Sequence, residues 1–178
     1  LVTGDVINFI QILGSVLDLG VPSDATVSTA KIVDGAVTYA KASGFGKVLQ
    51  VVTATDNTER TTTSGSYVTA SNTLSLNITP SATSSKILVM FHSTGISSTD
   101  GKEGRYTIFR ASTDLSGGNG LAWINKNLGS PISANVLDSP STTSQITYQV
   151  YQKGESGYVT KLQQGATLGA IIAMEIGA

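Results

Sequence analysis

Over residues 4–19 apolar side chains recur at spacings of four, three and four: Val6, Ile10, Leu13 and Leu17. That is the seam of a coiled coil. Phe9, Ile12, Val16 and Leu19 lie beside it, so a helix here is apolar over more than half its circumference. A helix this short is marginal alone in water, and the pattern predicts packing against copies of itself. Gly20 and Pro22 stop it. From Lys47 onward the period changes to two. In NTLSLNIT, Leu74, Leu76 and Ile78 alternate with Thr73, Ser75 and Asn77, the mark of a half-buried antiparallel strand. KILVMF (86–91) is apolar on both faces and predicts a central strand. KVLQVVTAT, RYTIFRAS, GLAWIN, SQITYQVYQ and GYVTKLQ continue the series, with GESG (154–157) expected to turn a hairpin between the last two. The chain closes on ATLGAIIAMEIG, where Leu168, Ala170, Ile172, Met174 and Ile176 line one face expected to be buried.

Between these two regimes a ten-residue unit occurs twice. In DATVSTAKIV and DGAVTYAKAS, Asp24 aligns with Asp34, Val27 with Val37, Ala30 with Ala40 and Lys31 with Lys41. One unit offers Val27 and Ile32 no core to enter, and two are too few for a single-chain solenoid. Partners from other chains are therefore expected, with Val27, Ile32 and Val37 facing a common axis. The resulting division is a coiled-coil-like segment (1–20), a short-repeat shaft segment (21–45) and a head of about eight strands (46–178). That number and spacing of strands predicts a mainly β fold, an antiparallel jelly-roll-like sandwich.

Composition sharpens this picture chiefly by exclusion. Ser, Thr, Gly and Val are abundant, which suits strands and turns rather than helices. There is no cysteine, so disulfides and thiolate chemistry are excluded. With 11 basic and 12 acidic residues the net charge is −1, which provides no basic footprint for nucleic acid. No apolar run reaches the roughly 18 residues of a membrane span. The chain begins on Leu1 without a charged leader, and reads as the end of a longer polypeptide.

Candidate chemistry is sparse. His92 is the one histidine, set within a strand, and is expected near a sheet edge or a subunit contact rather than in a catalytic triad. No catalytic residue, metal site or cofactor is expected. Recognition of a surface needs exposed aromatic and hydrogen-bonding groups. Two Gly-flanked loops offer them: Asp100, Lys102, Glu103 and Arg105 in the first, Ser116 and Asn119 in the second. Trp123, the only tryptophan, follows the second loop, either filling the core or a subunit interface or standing exposed for recognition. Tyr106, Tyr148, Tyr151 and Tyr158 fall at strand positions and read as packing residues.

VSTAKIVDGAVTYAK, GKVLQVVTATDNT, SNTLSLNITPSATSSKILV, YTIFR and the closing ATLGAIIAMEIG together resemble the C-terminal region of bacteriophage tail fibres, notably those of marine phages. The likeness runs from Asp24 to Ala178. It implies a homotrimeric virion protein of the tail, exposed outside the cell, with a repeat-built shaft and a sandwich head. Its implied partners are itself, other virion tail proteins, and a bacterial surface glycan or outer-membrane protein. It transfers no contact residue. Alternative readings are a purely structural fibre such as a head fibre or collar whisker, a glycan depolymerase tail spike, and a bacterial adhesin tip.

Overall fold

Leu74, Leu76 and Ile78 are all buried, at 0%, 5% and 2% exposure, while Thr73 and Asn77 face water. The same parity organises the rest of the head. The structure is a computed structural model describing residues 32–33, 36–37 and 47–177. The chain divides into two units, Leu1–Gly44 and Phe45–Ala178. The expected seam (Val6, Ile10, Leu13, Leu17) and Val27 lie outside the described residues. Of the expected axial set, Ile32 and Val37 are described, at 42% and 57% exposure.

The second unit contains eleven strands: β1 (Lys47–Asp56), β2 (Arg60–Thr62), β3 (Ser75–Ile78), β4 (Lys86–Ser97), β5 (Gly104–Arg110), β6 (Thr113–Asp114), β7 (Ala122–Ile124), β8 (Ser130–Asp138), β9 (Ile146–Gly154), β10 (Thr160–Leu162) and β11 (Gly169–Gly177). All pairings are antiparallel. One sheet runs β1-β11-β4-β8, with β10 and β2 extending it beside the far half of β4. The other runs β3-β9-β5, with β6 and β7 sharing the outer edge of β5. Successive long strands thus alternate between sheets and return beside earlier ones, which is the double Greek-key course of a jelly roll.

The inner faces meet in one core of Leu74, Leu76, Ile78, Ile87, Val89, Phe91, Ile108, Val150 and Ile171, among others. Two tyrosines tie the sheets together. Tyr148 Oη donates to Asp138 Oδ2 at 2.6 Å, and Arg110 Nη1 lies 2.9 Å from both oxygens of that carboxylate. Burial first, and then the Asp138 charge, raise the Tyr148 phenol far above its ordinary range. At the other end of the sandwich Tyr106 Oη donates to the Lys161 carbonyl at 2.6 Å. Its ring fills the space over Gly95, where an added Cβ would come within 2.6 Å of the hydroxyl.

The structure corrects four expectations. First, β11 buries Ile171, Ala173 and Glu175, so Ile172, Met174 and Ile176 line the outer face of the sheet and Leu168 is 62% exposed. The strand is apolar on both sides, and parity alone does not choose between them. Secondly, GESG does not turn a hairpin, because β9 and β10 belong to different sheets. Thirdly, His92 is not at a sheet edge: it is on a central strand, with Ala170 opposite it on one side and Ser133 on the other, and points outward, where a subunit contact would reach it. Finally, β8 joins the series. Its Ser, Ala, Asn and Pro carry little strand signal, and Pro131 is tolerated because the strand forms an edge.

Glu175 is a carboxylate at 0% exposure facing the core. It accepts from Gln50 Nε2 at 2.5 Å, Ser81 N at 2.7 Å, Ser81 Oγ at 2.6 Å and Ser85 Oγ at 2.7 Å. Burial alone would raise its pKa, but these donors outweigh it and hold the carboxyl at about 2. The group fastens the β3–β4 connection to the end of the sandwich at which the chain enters and leaves. There Lys47 pairs with Gly177, and Lys86 with Ile176.

Candidate binding surface

The opposite end of the sandwich is built from connections that are hydrogen-bonded to one another. Ser98 N donates to Val159 O at 2.8 Å, joining the β4–β5 and β9–β10 connections. Gly101 N donates to Asn125 O at 2.9 Å, and Asn127 N to Asp100 Oδ1 at 2.8 Å, which adds the β7–β8 connection. Glu155 N donates to Glu103 O at 3.0 Å, and Gly157 N to Thr63 O at 3.1 Å. Four segments distant in sequence therefore form a single surface.

Its charges are largely paired. Lys102 Nζ is 2.8 Å from Glu155 Oε1 and 4.6 Å from the Tyr158 ring centre. The Glu155 carboxylate, and more weakly Tyr158, hold the ammonium above its usual range. Arg105 Nη2 is 2.6 Å from Glu103 Oε2, and Nη1 donates to the Asn119 carbonyl at 2.7 Å. Arg105 thereby joins the two loops singled out in the sequence. Lys153, one strand over, donates to the Gly118 carbonyl at 3.3 Å and stands 4.3 Å from the Tyr67 ring centre.

The loop from Leu115 to Leu121 owes its shape to Asp114. One carboxylate oxygen accepts from Ser116 N at 2.9 Å, Ser116 Oγ at 2.7 Å and Thr107 Oγ1 at 2.8 Å. The other accepts from Gly118 N at 2.9 Å. Burial pushes this carboxyl up, yet the donors prevail and its pKa is lowered. Gly117, Gly118 and Gly120 have φ of 65°, 96° and 82°, a region that side chains disfavour, so the run of glycines is what permits the turn. Ser116 is thus part of the scaffold, and its Oγ also accepts from Gly120 N at 2.9 Å.

Trp123 is 61% exposed. It pairs in register with Arg105, while its neighbour Ile124 enters the core, so the indole and the guanidinium share the outer face. The core alternative for Trp123 therefore does not match its position, while the subunit-interface and recognition alternatives both place it at the surface, where it lies. Two open depressions flank the β4–β5 connection. One, of about 460 Å³, is lined by Glu103, Arg105, Lys153 and Glu155 with small residues between. The other, of about 480 Å³, lies among Asp100, Asn125, Lys126, Asn127 and Leu128.

Asp100, Lys102, Glu103, Arg105, Asn119 and Trp123 are all brought to this region. Sequence reasoning missed Asp114, Lys153 and Glu155. Asp-x-Ser before a run of glycines is an Asx-turn signal that would have found the first. Strand parity places Lys153 outward, since Tyr148 and Val150 face in. Glu155 pairs with Lys102 only through the crossover between sheets, which no local pattern announces. Among the described residues, no three His, Asp or Glu side chains gather as a metal site would require.

No family model matches the sequence, and no curated protein matches it. Among solved structures, the crystal structure of the infectious bursal disease virus VP2 subviral particle is similar to this chain, with 12% identity and a TM-score of 0.41. The match covers 71% of this chain and 39% of that one, so this chain spans well under two thirds of that neighbour's length.

Proposed function

We propose that this chain is the distal part of a homotrimeric phage tail fibre, and that the loop end of its head holds a bacterial surface glycan or protein. One observation carries the reading. The recognition residues expected from sequence converge on the end of the sandwich remote from Lys47, where the chain enters. A head attached by one end must meet a cell with the other. The exposed indole of Trp123 offers a flat apolar face, and the paired charges and amides around it offer hydrogen bonds at little cost in desolvation. Glu103 and Glu155 each sit on a cation. A glycosidase needs one carboxyl of its pair protonated, so this pairing favours holding a glycan over cutting it. Repetition of a weak site by three-fold symmetry would supply avidity.

The test uses the labelled full chain and a panel of bacterial isolates. Trp123→Ala combined with Lys102→Ser should lower cell binding by about tenfold or more, or about 1.4 kcal/mol per apparent site, with an unchanged melting midpoint. Arg105 is left intact because it holds the loops. Undiminished binding by this variant would overturn the assignment.

A further inference from the structure

The two outer faces of the sandwich differ in kind. On the sheet containing β5 and β9, Thr107 is fully buried, and Phe109 stacks on Tyr151 with Tyr67 set against its edge. Over its middle that face is covered by the chain's own segments, Tyr67 of the β2–β3 connection lying against Phe109 and Asp114 at the base of the β6–β7 loop bonding Thr107. The other sheet has no such cover among the described residues. Val51, Met174, Leu88 and Leu137 form one row across β1, β11, β4 and β8, each paired in register with the next. The neighbouring row is Thr53, Ile172, Met90 and Asn135. Beside it lies an open dimple of about 250 Å³ lined in part by Met90, His92, Asn135 and Ile172. At the outward positions of these four strands, only Lys86 and His92 can carry charge.

We infer that this face is the surface through which the head meets further copies of itself, the β8 side of one copy lying against the β1 side of the next. The inference rests on the homotrimer reading and specifies where in the head it operates. Both ends of the apolar row lie on edge strands and are its most exposed members, Val51 at 52% and Leu137 at 57%. Two different edges of one chain make a heterologous contact, which closes only as a ring. A long uncharged edge is also an aggregation hazard unless it is covered. The occupant is a copy because the face carries almost no charge with which to select a different partner, and identical uncharged faces do not repel. In addition, 46 residues precede Lys47 and join the head at the first residue of β1. Their apolar repeat at 6, 10, 13 and 17 is self-complementary in pattern, and copies joined there would present β1 to one another at high effective concentration.

The absence of cysteine makes the test clean. In the full chain carrying Val51→Cys and Leu137→Cys, a bis-maleimide is used that is shorter than the roughly 14 Å that three strand spacings place between these positions in one copy. The expected product on a denaturing gel is a ladder ending at about 55 kDa, three copies of 18.3 kDa, with neither single variant cross-linking. Thr53→Cys with Asn135→Cys repeats the experiment one row along at polar, exposed positions, should the first pair impair folding. A native mass of about 55 kDa by sedimentation, with no ladder from either pair, would overturn the placement and leave the trimer standing. A native mass of 18.3 kDa would overturn both.

Discussion

Glu175 shows how one residue can be costly and necessary together. An ionised carboxylate facing an apolar core is tolerated only because its donors replace the water it has lost. Its pKa of about 2 lies below the ordinary glutamate value, so the folded state prefers the ionised form. The stability this contributes is fully present above the unfolded value near pH 4.3, and is lost as pH falls toward 2. Glu175→Gln keeps the shape but turns an amide N–H₂ toward Gln50 and the serines. The variant should be about 2–3 kcal/mol less stable than the parent at pH 7. Chemical denaturation at successively lower pH should show the difference shrinking between about pH 4 and pH 2. A difference that stays constant down to pH 2 would show that charge is not what matters there. The sequence offered no hint of this role, since Glu175 falls in an apolar run whose neighbours at 172, 174 and 176 look like the buried ones. Only the partnership with Gln50, Ser81 and Ser85, far away along the chain, turns Glu175 inward.

At the scale of elements, the β6–β7 loop behaves as a side-chain construction rather than a length of slack chain. Asp114 satisfies Ser116, Gly118 and Thr107 at once, so Asp114→Ala should free the segment 115–121 while leaving the sheets intact. Amide exchange at Gly118 should quicken by at least tenfold, and global stability should fall by only about 1–2 kcal/mol. Unchanged protection at Gly118 would contradict the role given to Asp114. Such loops were only half legible in advance. The Gly-rich run announced a turn because few residues other than glycine accept positive φ, and the strands around it were announced by their alternation at Leu74–Ile78 and at Tyr148–Val150. Where both faces of a strand are apolar, as in β11, alternation carries no direction. Where a strand is an edge of small polar residues, as in β8, it carries almost no signal. The crossover after Gly154 is illegible for a related reason: a short Gly-bounded connection looks the same whether it joins neighbours in one sheet or passes between two.

For the molecule as a whole, stability depends on a strand that is last in sequence and central in space. β11 lies between β1 and β4 and supplies Ile171 and Ala173 to the core. Ending the chain at Thr167 should therefore abolish cooperative thermal unfolding altogether, rather than lower its midpoint, as followed by circular dichroism. A sharp transition surviving in that shortened chain would show that the remaining strands form a domain of their own. The same placement sets a timetable during synthesis. β1 finds no partner in its sheet until about 110 further residues have followed, the interval between Asp56 and Gly169 that register them. Loop closure over that span is slow, and unpaired apolar strands are exposed while it is awaited. The sheet therefore cannot close until β11 has been made, and its apolar strands stay bare until then.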